Sequence, residues 1–88
     1  MTTTLSNVDK VSTGITQNMK FTSHNPDLKD EADRITNEAE QCCHNIKILE
    51  QAAKLEVNKN SETNKLLTEE LKILDSIELQ SIGLLSSY

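Results

Sequence analysis

The residues of this chain with the greatest chemical reach are Cys42, Cys43 and His44, set in the stretch EAEQCCHNIKI with Glu38 and Glu40 on its flank. Two thiols and an imidazole are the raw material of a zinc site, or of a cysteine nucleophile with its base. Their spacing argues against both. Adjacent residues on a helix diverge by about 100°, so three consecutive side chains cannot converge on one ion. A zinc site takes about four ligands at spacings such as C-x2-C or H-x3-H, and the other histidine, His24, lies far off in the N-terminal segment. A Cys–His pair on a helix would have to sit at i, i+3 or i+4 to face each other. No catalytic residue, metal or cofactor is therefore expected, and Cys42 reads as a small apolar core residue.

The element that positions Cys42 is a heptad. Leu28, Ala32, Ile35, Ala39, Cys42, Ile46, Leu49 and Ala53 follow one another in alternating steps of four and three, the seam of a helix that packs along its whole length. Asn25-Pro26-Asp27 marks its start: asparagine caps, proline is tolerated in the first turn, and Asp27, Asp30 and Glu31 suit the positive end of the helix dipole. The spacing predicts a helix from about 27 to 57. Beyond Ala53 the seam fails, because Glu56, Asn60 and Thr63 would fall in it and the stretch NKNSETNK is polar throughout. A second helical pattern then predicts a helix from about 62 to 84, with Leu67, Leu71 and Leu74 on its inner stripe and Leu66, Ile73 and Ile77 widening that stripe.

Residues 1–25 are rich in Ser, Thr and Asn, with Gly14 in the middle. Such residues bond their own backbone and make poor helices, so the segment is expected to be a flexible tail ahead of a helical module at 26–88. Leu5, Val8, Val11, Ile15 and Met19 nevertheless recur at three and four, the pattern of a segment that orders as an amphipathic helix on a partner's groove.

The expected fold is all-α, with the two long helices forming an antiparallel hairpin; one continuous coiled-coil helix of about 90 Å is the alternative. Ile48, Ala52, Leu55, Ile73 and Ile77 lie off the strict seam and widen the apolar face. A wide face calls for two or more neighbours rather than one coiled-coil partner, which favours the hairpin. A bare hairpin of this size has a single layer of contact and is marginal alone. A further chain is therefore expected to cover the seam residues Leu28, Ile35, Ala39, Cys42, Ile46, Leu49 and Ala53 and their α-helical counterparts Leu67, Leu71, Leu74 and Ile77. Read as a parallel homodimer, none of its g–e′ pairs joins opposite charges, so an unlike protein partner is preferred to a second copy.

Composition narrows the function classes. The 88 residues carry a net charge of −5, with no Trp, one Phe and one Tyr. That leaves neither the basic stripe nor the stacking rings of a nucleic-acid binder. There is no glycine loop or nucleophile motif for an enzyme, no small-molecule pocket is expected in so thin a fold, and no stretch is long and apolar enough to span a membrane. The start lacks the pattern of a signal peptide, and two cysteines without one point to a reducing compartment, cytoplasmic or nuclear. The expectation is a non-enzymatic interaction subunit that completes a helical bundle. The alternative is a small acidic inhibitor of the phage or viral kind, presenting Asp27, Asp30, Glu31, Asp33, Glu38 and Glu40 to a basic protein surface.

Overall fold

In a computed structural model, which describes residues 2–55 and 61–88, the chain is all-α. Three helices pack together: α1 (Val8–Thr22), α2 (Lys29–Leu55) and α3 (Ser61–Ser86), with no strand among the described residues. Each helix touches the other two, and the molecule measures 50 × 19 × 17 Å.

The α1 helix corrects the expectation of a flexible tail and of a two-helix fold. Val8, Val11, Ile15, Met19 and Thr22 turn one face inward and are buried. The groove this segment fits belongs to its own chain. Weak intrinsic propensity is overridden by that burial, since most helical stability in proteins comes from packing an apolar face. The hydroxyl groups that would compete with the helix bond within it instead: Thr16 Oγ1 donates to the Ser12 carbonyl at 3.0 Å and Thr22 Oγ1 to the Asn18 carbonyl at 2.8 Å. Asp9 in the first turn and Lys20 in the last match the helix dipole.

Before α1, the chain folds back on itself. Asn7 Oδ1 accepts the Thr4 amide at 2.7 Å, and Asn7 Nδ2 donates to the Thr2 carbonyl at 2.9 Å. Buried Thr3 is tied to α3, its amide donating to Asp75 Oδ1 at 2.6 Å and its hydroxyl to the same oxygen. After α1, Asn25-Pro26-Asp27 forms a turn in which the Asp27 amide donates to Asn25 Oδ1 at 3.0 Å. Regular α2 begins at Lys29, slightly later than the sequence suggests. The turn expected near 58–62 falls largely outside the described residues.

Long-range contacts set the topology. Cys42 Sγ lies 3.3 Å from the Glu70 carbonyl oxygen, which brings α3 back along α2; in one continuous helix these residues would stand about 42 Å apart. Phe21 at the end of α1 meets Tyr88 at the end of the chain, ring centroids 4.7 Å apart, and Thr3 meets Asp75. So α1 runs parallel to α3 and antiparallel to α2. At 15 residues against 27 and 26, it spans little more than half of the hairpin. The molecule is three helices thick toward Tyr88 and two thick beyond the level of Lys47, which reaches back to Asp9 at 3.3 Å.

Candidate interaction surface

Helix α2 brings its seam to the centre of the three-helix part. Ala32, Ile35, Ala39, Cys42 and Ile46 are buried in one cluster with Val8, Val11, Ile15 and Met19 of α1 and with Leu67, Leu74 and Ile77 of α3. Leu28 is half-buried at the entry to α2, Leu49 and Ala53 are half-buried along the two-helix part, and Leu71 is half-buried against the core next to Glu70. Most of the seam that the sequence offered to another chain is therefore spent inside this one, with α1 as the covering helix.

Cys42 is 4 % exposed. Burial, reinforced by the Glu70 carboxylate 3.4 Å from its sulfur, pushes its pKa up to about 12. It stays a protonated thiol. His44 is exposed on the outside of α2. Among the described residues no group of three or more His, Cys, Asp or Glu is placed to hold a metal ion, and no helix is long and apolar enough to cross a membrane.

Half of the acidic run is tied up along α2 itself. Arg34 pairs with Glu31 and, at 2.7 Å, with Glu38, while Lys29 pairs with Asp33 at 2.7 Å. These hydrogen bonds raise the pKa of Lys29 and Arg34, but all the groups are solvent-exposed, where such pairs add little stability. Asp27, Asp30 and Glu40 stay exposed to solvent.

The structure draws together a different set. On the face of the hairpin that no α1 residue lines, an open groove of about 420 Å³ runs between α2 and α3 past Gln41, Cys42, Ile73 and Gln80. It continues into a second hollow of about 270 Å³ beside Ile48, Leu49 and Leu66. Asn45 and Glu70 line both, which makes them one feature. Its walls carry large apolar side chains open to water: Ile48 is 54 % exposed, and Leu66 and Ile73 are 47 % exposed. The sequence did carry a signal for this set. These residues are the ones that stray from the heptad and widen the apolar face.

Comparison with protein-family models, with curated proteins and with solved structures gives no match.

Proposed function

We propose that the chain is a non-enzymatic helical interaction subunit, which adds its hairpin to a larger helical assembly. The observation that supports this reading is the apolar wall of Ile48, Leu66 and Ile73 along a groove that α1 leaves uncovered. Exposed apolar residues scattered singly carry no message, but aligned along a groove between two helices they are the usual seat of a further helix. The preferred partner is an unlike protein. A reducing compartment, cytosolic or nuclear, suits a subunit whose two cysteines are free.

The test is the mass at which the tagged full chain elutes from a lysate of its own cells. An assembly well above the 9.9 kDa of the chain, lost on Ile48→Asp or Ile73→Asp, is expected. Both positions are exposed, so circular dichroism should show these variants still folded. A chain that elutes as a monomer, with or without the substitutions, would refute the reading.

A further inference from the structure

A pair of antiparallel helices offers two grooves, one on each face. Here α1 fills one of them with Val8, Val11, Ile15 and Met19, at steps of three, four and four. The opposite groove has the same parents and no such filler among the described residues. It extends from Glu38 to Leu49 on α2 and from Leu66 to Gln80 on α3, about 17–21 Å of helix axis, or three to four turns. That is close to the length of α1. A fourth helix in this position would turn the molecule into a four-helix bundle, the arrangement in which a wide apolar face on each of two helices is fully used.

Charge decides between occupants. The side chains lining the groove include two carboxylates, Glu38 and Glu70, and no lysine or arginine. Glu38 shares Arg34 with Glu31. Glu70 joins no ion pair among the described residues; its carboxylate meets only the uncharged thiol of Cys42. In a two-fold dimer built through this face, the groove would meet itself. Glu70 of each copy would then be enclosed with no lysine or arginine among the groove's lining residues to pair it, and like charges brought together at an interface are costly. A helix with a cation on its flank meets the same groove with opposite charge.

We propose that the groove between α2 and α3 receives one amphipathic helix of three to four turns from a different protein, with its apolar stripe on Ile48, Leu66 and Ile73 and a lysine or arginine beside Glu70. This rests on the interaction reading above and specifies the partner's chemistry. Apolar residues at i, i+3, i+4 and i+7 supply the affinity. The cation supplies the selection against acidic helices and against a second copy.

Two fluorescein-labelled helical peptides of about sixteen residues, with the same Leu/Ala stripe and either lysines or glutamates on the flanks, are titrated against the full chain by fluorescence polarisation. The lysine peptide is expected to bind in the micromolar range and the glutamate peptide about tenfold or more weaker. Glu70→Gln should weaken the lysine peptide about fivefold. Ile73→Asp should abolish its binding while the far-ultraviolet circular dichroism stays unchanged; Ile48→Asp, on the opposite wall, serves if the first variant is misfolded. Equal affinity for the two peptides, or no binding of either at about 100 µM, would overturn the proposal. So would a dimer of the free chain in light scattering that Ile73→Asp dissolves, since the occupant would then be a second copy. That last outcome leaves the interaction reading standing, whereas a monomeric chain in lysate would remove both.

Discussion

At the scale of single residues, the chemistry of Cys42 follows from where α2 puts it. A thiol that is 4 % exposed and donates toward the Glu70 carbonyl and carboxylate loses far more on ionising than one in water. Its pKa rises from 9.0 to about 12. Because the folded value lies above the unfolded one, the thiol contributes stability that is complete below about pH 9 and is lost as pH rises toward 12. The melting temperature of the protein should therefore fall more steeply between these limits than that of Cys42→Ala. Equal slopes in the two melting series would show that the thiol is not held neutral. Iodoacetamide at neutral pH should likewise leave Cys42 unmodified in the folded protein and alkylate it in denaturant, as peptide mass spectrometry would show. The neighbouring His44 has no part in this, since the helix turns it outward.

At the scale of elements, α1 is the helix that depends most on its neighbours. It is built from Val, Ile, Thr, Ser and Asn, with Gly14 at its middle, residues that lose rotamer freedom in a helix or compete with its backbone. Gly14 needs no special backbone conformation, and a Cβ there would meet nothing within 4 Å. Gly14→Ala should therefore stabilise the protein by about 0.5–1 kcal/mol, by reducing the entropy of the unfolded chain. Urea or thermal melts would measure it. A destabilised Gly14→Ala would mean that the residue faces something other than open space. Helices α2 and α3 need less help. The seams of both and, in α2, i, i+4 pairs such as Lys29–Asp33 favour the same state, and both were legible to within a few residues.

At the scale of the whole molecule, the unequal lengths of the helices have the main consequence. Where α1 lies on the hairpin there is a closed core from Val8 and Ile46 to Met19 and Ala32; beyond it the hairpin continues with Leu49 and Ala53 half-buried and Ile48 and Leu66 open. Removal of residues 1–25 should expose Ala32, Ile35, Ala39 and Ile46 as well. The remaining hairpin should then lose its cooperative melt, or associate with further copies as dilution-sensitive oligomers. Circular dichroism and light scattering on the truncated and full chains would show the difference. A truncated chain that melts as the full one does would demote α1 to an accessory.

The sequence by itself determined the helical class, the seam through Cys42 and the inner stripe of the last helix. All of these follow from local periodicity, and periodicity is carried by residues a few positions apart. Tertiary structure alone decided that α1 is a helix at all, because its composition opposes one and only the groove between Ala39 and Ile77 makes it worth forming. The same decision moved the exposed apolar surface. Once α1 covers the seam from within the chain, Ile48, Leu66 and Ile73 along the far groove stay open to solvent. The sequence shows those residues as a widened face, and only the packed bundle shows which side of it is left uncovered.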